Sequence, residues 1–290
     1  MAYVIREHQT ALTATHLLHP WLLLLAAFIH CIFWLVATIF WRYVVCVTTQ
    51  SKLSMSESFR QLALVAVGKY IPGKVWGFLS RGTALKESKA TTRGVFAATF
   101  VEQWAMIMSA GLVSGLLMLL VRPNGILTAL GLVAIITALF GNQFFRIGIL
   151  VFQRVLAIVS APSEPGPSMR LRYRQYLMLL FIHSLMWILI GSVLASICFA
   201  FSFRPFSLEL YGVLLLANTV GIVMGFVALF APGGLGVREA VTTAVLLPYL
   251  PLEEAAILSI AFRMWTTSID IFLAAALVWQ TARAAQRPRV

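Results

Sequence analysis

Residues 230–239 read Phe-Ala-Pro-Gly-Gly-Leu-Gly-Val-Arg-Glu and separate two apolar runs that would otherwise be typical of membrane helix. Pro232 lacks a backbone donor and disfavours helix in the residue before it. Arg238 and Glu239 then place two ionisable groups at the start of the next helix. A broken helix and a charge are both costly in hydrocarbon, so such a segment is tolerated where it lines a cavity or is buried in protein. Its glycines allow backbone angles that other residues avoid: Gly233, Gly234 and Gly236.

A second and weaker break lies upstream, in residues 69–77, Lys-Tyr-Ile-Pro-Gly-Lys-Val-Trp-Gly. Its Pro-Gly pair is followed by a further helical stretch that contains Arg81. We predict that the two broken segments face each other across a membrane.

Each break is followed by the start of a helix, whose free N–H groups carry about half a positive charge. Lys74 and Arg238 lie in those first turns and add full charges. Two such helix starts facing one cavity would hold an anion, and phosphate is the ligand that this geometry favours most. The alternative is that both cations extend to the membrane interface while the glycines serve helix packing.

The composition is that of a membrane protein. Of the 290 residues, 60% are hydrophobic and 11% are charged, whereas a soluble domain has about 25% charged residues. The net charge of +12 fits basic cytoplasmic loops and contact with anionic lipid better than nucleic-acid binding. The three cysteines are scattered, so we expect no disulfide framework, no metal site and no cofactor: Cys31, Cys46 and Cys198.

The apolar runs predict an all-α polytopic membrane protein with a single transmembrane domain, residues 1–290. Shorter helices are predicted at 57–70 and 237–250, on either side of the breaks, and residues 143–160 suit an interfacial amphipathic helix. Residues 161–168 form a linker rich in Pro and Ser. The predicted spans are residues 21–41, 94–121, 126–140, 176–201, 208–230 and 255–279.

Loop charge predicts the orientation, because basic loops stay in the cytoplasm. The opposite side keeps few basic residues, mainly Arg122 and Arg204. This distribution requires each broken segment to be a re-entrant helical hairpin, the first entering from the cytoplasm and the second from outside. The basic stretches are residues 42–60, 86–93, 146–174 and the C-terminal tail.

The two halves are related as an inverted repeat. In each half a span is followed by a Pro-Gly hairpin and then by a span with an intramembrane charge. Pro72 precedes Trp104 by nearly the same spacing as Pro232 precedes Trp265. Inverted repeats with discontinuous helices are typical of secondary transporters, whose substrate site lies near the midplane. The halves are residues 20–160 and 170–290.

Three ionisable residues lie deep in predicted spans, where each is expensive alone. Glu102 and Arg263 occupy matching repeat positions with opposite charges, and Asp270 lies two turns beyond Arg263. One interpretation is that Glu102 pairs with Arg263 as a clamp between the repeats, leaving Asp270 to polar neighbours. The other is a polar path for a headgroup or a proton-linked carboxylate. His30 and His183, isolated in apolar spans, are interpreted as packing residues.

The two breaks resemble those of the lysylphosphatidylglycerol synthase transmembrane-domain family, also called flippase-like integral membrane proteins. The resemblance lies on residues 68–74 with Arg81 and on residues 231–236 with Glu239, and its layout covers nearly the whole chain. In the best-known members this membrane domain is fused to a soluble aminoacyltransferase and moves the aminoacylated lipid between leaflets. For this sequence the resemblance implies only the activity of the membrane domain, lipid translocation, and not the aminoacyl transfer. Stand-alone members often resemble parts of envelope glycan or polyprenyl-lipid pathways.

We therefore predict a flippase of the bacterial inner membrane that moves a phosphate-bearing lipid, such as an aminoacylated phospholipid or a polyprenyl-linked glycan lipid. No enzyme activity is expected, and an envelope-lipid synthase is a candidate partner. The alternatives are a membrane-embedded glycosyl or headgroup transferase with a carboxylate base, and a non-transporting partner of an envelope synthase. The predicted substrate-binding residues are Lys74, Arg81, Glu102, Gly233, Gly234, Gly236, Arg238, Glu239, Arg263 and Asp270.

The orientation can be tested by labelling single cysteines from outside the cell. Positions near Asn124 and Arg204 should react with an impermeant maleimide, and positions near Ser163 and Gln286 should not, because only the first two lie in weakly basic loops. Equal labelling near Ser163 and Asn124 would exclude the inverted arrangement.

Overall fold

A computed structural model describes residues 19–70, 81, 92–121, 125–159, 171–201, 205–228 and 230–285. All regular elements in these ranges are helical, and six of the helices are long and apolar enough to cross a membrane. These six are α1 (Trp21–Thr49), α3 (Thr92–Val121), α4 (Gly125–Val159), α5 (Tyr173–Ala200), α6 (Leu208–Val227) and α8 (Leu252–Ala285). The shorter elements are α2 (Met55–Gly68), a 3-10 turn (Pro232–Gly234) and α7 (Val237–Leu246).

Local sequence signals set several of the helix ends. The hydroxyl of Ser54 accepts a hydrogen bond from the Glu57 N–H at 3.1 Å and caps α2. Ser207 caps α6 in the same way through the Leu210 N–H. Helix α1 ends at Gln50, whose left-handed conformation (φ 57°) stops the helix.

Most predicted helices are confirmed; α1, α3 and α8 extend beyond the predicted bounds at one or both ends, whereas α5 and α6 end one and three residues earlier than predicted. The prediction of separate helices at 126–140 and 143–160 is wrong, because α4 runs through both without a break. Gly141, at the predicted boundary, serves close packing instead: an added Cβ there would clash with the Tyr176 hydroxyl and the Met108 sulfur. That hydroxyl donates a hydrogen bond to the Ala138 carbonyl on the same helix.

Helix α5 lies at the centre of the packing. Leu194 belongs to an apolar cluster shared with α6 and α8, which includes Leu214 and Leu258. Leu179, four turns earlier, belongs to a second cluster built mainly from α1, α3 and α4, which includes Phe40. Large apolar side chains also face outward on the long helices, as contact with lipid requires.

The second broken segment is a helical hairpin. Helix α7 has only ten residues, about 15 Å, which is too short to cross a bilayer. At the tip, Gly225 of α6 lies against Gly234, and at the open end the Tyr249 hydroxyl donates to Glu209 Oε1 at 3.0 Å. Helix α7 therefore runs back along α6; that this hairpin is re-entrant stays a prediction.

Other predictions lie outside the described residues. These are the Pro72-Gly73 break itself, Lys74, the linker at 161–168, and Arg122 and Arg204. The inverted repeat and the side from which each hairpin enters the membrane stay predictions.

Close packing between α3 and α4 generates a stability prediction. A Cβ on Gly115 would lie 2.6 Å from the Gly131 carbonyl oxygen, and one on Gly131 would lie 2.8 Å from that of Gly115. Gly115→Ala should therefore lower the free energy of unfolding by about 1–3 kcal/mol, because the two backbones must separate. Thermal unfolding in detergent measures this change.

Gly125→Ala is the matched control, since a Cβ at Gly125 meets nothing within 4 Å. Its stability should stay unchanged or rise by up to about 1 kcal/mol, the helix propensity gained over glycine. A Gly115→Ala variant as stable as this control would contradict the close approach of α3 and α4.

Candidate functional site

Helix α8 presents three polar residues on one buried face. Arg263, Thr267 and Asp270 follow the spacing i, i+4, i+7, which aligns them along one side of a helix. Arg263 is 7% exposed and Asp270 is 5% exposed. Charges this deeply buried need partners, and both broken segments supply them.

The end of the first broken segment docks on Asp270. The Lys69 ammonium lies 2.7 Å from Asp270 Oδ2, and the Tyr70 hydroxyl donates to the same oxygen at 2.7 Å. The Tyr70 hydroxyl also lies 3.1 Å from the Thr267 hydroxyl oxygen. Two residues that directly precede the predicted Pro72 break are thus fixed on the last helix.

The second broken segment is held by Arg263. Its Nη2 donates to the Gly233 carbonyl at 2.9 Å, which satisfies a backbone group in the non-helical stretch. Its Nε lies 3.5 Å from Glu239 Oε1, an ion pair longer than a hydrogen bond. The guanidinium also lies 5.5 Å from the centre of the Tyr70 ring, so Arg263 contacts both broken segments.

Gly233 is the point where the second break meets Tyr70, just before the first break. Its φ of 58° is one that other residues rarely adopt. An added Cβ would lie 2.9 Å from Arg263 Nη2 and 3.3 Å from Tyr70 Cδ1. The backbone conformation therefore favours glycine at this position, and the Tyr70 contact brings the residue just before the first break beside the second.

Glu239 and Arg238 complete the site at the start of α7. Glu239 Oε2 accepts a hydrogen bond from the Gly236 N–H at 2.7 Å and caps the helix. The Arg238 guanidinium lies 5.1 Å from the centre of the Phe262 ring. Its Nη2 is buried and has no hydrogen-bond partner among the described residues.

We call these residues the junction cluster: Lys69, Tyr70, Gly233, Arg238, Glu239, Arg263, Thr267 and Asp270. Its three cations and two carboxylates leave one excess positive charge among the residues described. Sequence reasoning missed Lys69, Tyr70 and Thr267 as site residues. Their positions in the sequence indicate a place at the site: Lys69 and Tyr70 come just before the Pro-Gly break, and Thr267 follows Arg263 by four residues, on the same helix face.

Glu102 and Arg81 form a separate pair. Arg81 is 1% exposed, stacks on Trp41 with 3.8 Å to the ring centre, and makes a close ion pair with Glu102 through Nη1. Its Nη2 lies 3.3 Å from the other carboxylate oxygen, so the contact is bidentate. The interpretation of Glu102 and Arg263 as a clamp is therefore wrong, because each has a different partner.

The two isolated histidines have neighbours that suit packing. His183 Nδ1 lies 3.1 Å from the Ser109 hydroxyl, and His30 Nδ1 accepts from Trp265 Nε1 at 3.2 Å. Within the part of the chain described here, no three His, Cys, Asp or Glu side chains converge as metal ligands.

The Arg81–Glu102 pair yields a stability prediction. Arg81→Gln and Glu102→Gln should each destabilise the protein by roughly 3–5 kcal/mol, because each leaves a buried charge unpaired. The double variant should lose much less than the sum, since no charge remains. Thermal or denaturant unfolding of the four proteins gives the coupling free energy.

Glu102→Gln combined with Arg263→Gln is the control cycle. These two residues have different partners, so their effects should add within about 0.5 kcal/mol. Coupling between Glu102 and Arg263 as large as that between Glu102 and Arg81 would contradict the observed pairing.

Comparison with known proteins places this architecture in a family. The family model described as "Lysylphosphatidylglycerol synthase TM region" matches residues 3–274. No curated protein matches the chain. The match and the six apolar helices identify a multi-pass membrane protein whose family suggests lipid metabolism or translocation. The chain belongs to the lysylphosphatidylglycerol synthase transmembrane family.

Proposed function

We propose that the protein moves a lipid with a phosphate-bearing headgroup between leaflets, and that the junction cluster receives the headgroup. The observation that carries this proposal is the excess of cations in the junction cluster, where Arg263 is buried and the half-buried Arg238 has a buried Nη2 without a described hydrogen-bond partner. Among the described residues, Lys69, Arg238 and Arg263 are accompanied by two carboxylates, Glu239 and Asp270. Burying unbalanced positive charge is costly, and an anionic ligand would remove that cost.

The donors of the cluster suit phosphate. Arg238 has a buried Nη2 without a described partner, and Arg263 Nε has an ion-pair partner at 3.5 Å but no hydrogen bond. The planar guanidinium can hold two phosphate oxygens at once. The N-terminus of α7 adds its partial positive charge at the same place.

Two carboxylates act as resident counter-ions until a headgroup arrives. Glu239 occupies the Gly236 N–H, and Asp270 occupies the Lys69 ammonium. A phosphate oxygen offers these donors the same type of contact as a carboxylate oxygen does. The headgroup would enter when its phosphate replaces a carboxylate as the partner of these donors. It would leave when the carboxylate returns.

The geometry supports translocation better than covalent chemistry. A transferase would need a carboxylate available as general base. Glu102 pairs with Arg81, Glu239 with Arg263, and Asp270 with Lys69. Each of the three candidate bases thus has a cationic partner. The envelope lipid that is moved, its synthase partner and the bacterial inner membrane as location stay predictions.

Arg238→Gln tests the headgroup site. Transport of labelled phosphatidylglycerol between leaflets of proteoliposomes should fall roughly tenfold or more, because a hydrogen bond to a charged group contributes about 1.5–3 kcal/mol. Arg238→Lys should retain part of the transport, since it keeps the charge but loses the planar fork. The measurement is the rate of leaflet-to-leaflet movement per protein.

Arg174→Gln, which removes an exposed arginine near the start of α5, is the matched control and should transport at the normal rate. A melting temperature for each variant separates lost transport from unfolding. Normal transport by a folded Arg238→Gln protein would refute the anion site. If Arg238→Gln only unfolds, Arg238 is a structural residue and the headgroup site lies elsewhere.

A further inference from the structure

An apolar groove runs along the outer surface between α7 and α8 and ends at the junction cluster. Its volume is about 350 Å³, within the usual range for ligand sites. It is lined by one stripe from each helix at helical spacing. The lining residues are Glu239, Ala240, Thr243, Ala244 and Leu247 from α7 and the turn after it, and Leu252, Ala256 and Ile260 from α8.

From these contacts we infer that the groove binds one hydrocarbon chain, acyl or isoprenoid, of the lipid whose headgroup occupies the junction cluster. The inference rests on the proposed function and adds a second binding subsite to it. A ligand that fits both features must be amphipathic, because the groove is apolar and one of its ends is charged.

Small side chains create the space. Ala240, Ala244 and Ala256 line the groove where larger apolar residues would fill it. On the opposite face of α7, Thr242 and Leu246 are buried against the protein, so the helix is firmly seated. The groove is thus a consequence of alanine on one face of a helix that packs well on the other.

The hydroxyl groups in and beside the groove make no demand on a ligand. The Thr243 hydroxyl donates to the Ser259 hydroxyl oxygen at 3.1 Å, and the Ser259 hydroxyl donates to the Ala255 carbonyl at 2.8 Å. Both hydroxyl protons are therefore used within the protein. Beyond Glu239 at the charged end, what remains for contact with a ligand is hydrocarbon, which selects a chain without polar groups.

The charged end joins the groove to the headgroup site. Glu239 lines the groove and also pairs with Arg263. From Leu252 to Arg263 the axis of α8 rises by about 16 Å, roughly half the bilayer core. A headgroup at Arg263 with its chain in the groove points that chain toward the α8 N-terminus. A lipid from the leaflet at the C-terminal end of α8 would have this orientation, with its headgroup nearer that end and its chain toward the N-terminal end.

Photolabelling of the full chain tests the groove. Proteoliposomes of phosphatidylethanolamine would contain a trace of phosphatidylglycerol with a diazirine near the end of one acyl chain. After illumination, mass spectrometry of peptides should locate adducts on α7 and on the first turns of α8. Excess unlabelled phosphatidylglycerol should reduce these adducts about tenfold, and diacylglycerol, which lacks phosphate, should not.

Ala244→Trp and Ala256→Trp fill the groove and should each reduce both the groove adducts and lipid transport about tenfold, which corresponds to about 1.4 kcal/mol. Ala129→Trp, on an exposed position of α4, is the matched control and should change neither. If a tryptophan variant fails to fold, the wild-type protein still tests the inference, through groove adducts that phosphatidylglycerol reduces and diacylglycerol does not.

Two results would overturn the inference. One is wild-type labelling of the groove no stronger than that of the α4 surface and insensitive to phosphatidylglycerol. The other is efficient disulfide formation between chains carrying cysteine at position 244 or 256, which would show a second copy covering the groove. If either result is found while Arg238→Gln still loses transport, the groove is rejected as a chain-binding site and the headgroup site is kept. Normal transport in Arg238→Gln rejects the headgroup site instead.

Discussion

The hydrogen bond from Arg263 Nη2 to the Gly233 carbonyl is the interaction on which the rest of the site depends. A helix broken inside an apolar region leaves backbone groups that no water can satisfy. Here a side chain from the last helix satisfies one of them, but it brings a buried positive charge. Glu239 stands 3.5 Å away as its counter-ion and also caps α7. The break therefore depends on the buried arginine that satisfies its backbone, and the arginine depends on the glutamate that balances its charge and caps α7.

Charge balance distinguishes the two buried clusters. Arg81 and Glu102 form a neutral pair in which the guanidinium also stacks on Trp41. Such a pair holds helices in register without needing a ligand. The junction cluster keeps one more cation than carboxylates and draws its members from both broken segments and α8. This excess among the described residues favours an anion at the junction and not at Arg81, which is why the proposed headgroup site lies at the junction.

The sequence predicts what depends on neighbours along the chain. The spans, the Pro-Gly hairpin of the second break and the short α7 all follow from apolar length, proline chemistry and glycine conformation. Ion pairing depends on distances in space, so the opposite charges of Glu102 and Arg263 did not indicate that Arg81 lies closer to Glu102. The predicted boundary between 140 and 143 fails for a related reason: Gly141 makes room for Tyr176 from another helix, and its own helix continues through it.

Exposure within the junction cluster suggests an order of events for the proposed exchange. The Lys69 side chain is 38% exposed, whereas the Asp270 side chain to which it is bound is 7% exposed. A headgroup entering as proposed would therefore reach the ammonium before it reaches the carboxylate. Once phosphate replaces Asp270 on Lys69, the Tyr70 hydroxyl is the remaining hydrogen bond that ties the first broken segment to Asp270. The proposed exchange would thus weaken the contact that holds the end of the first broken segment on α8, which is what a translocating site needs and a storage site does not.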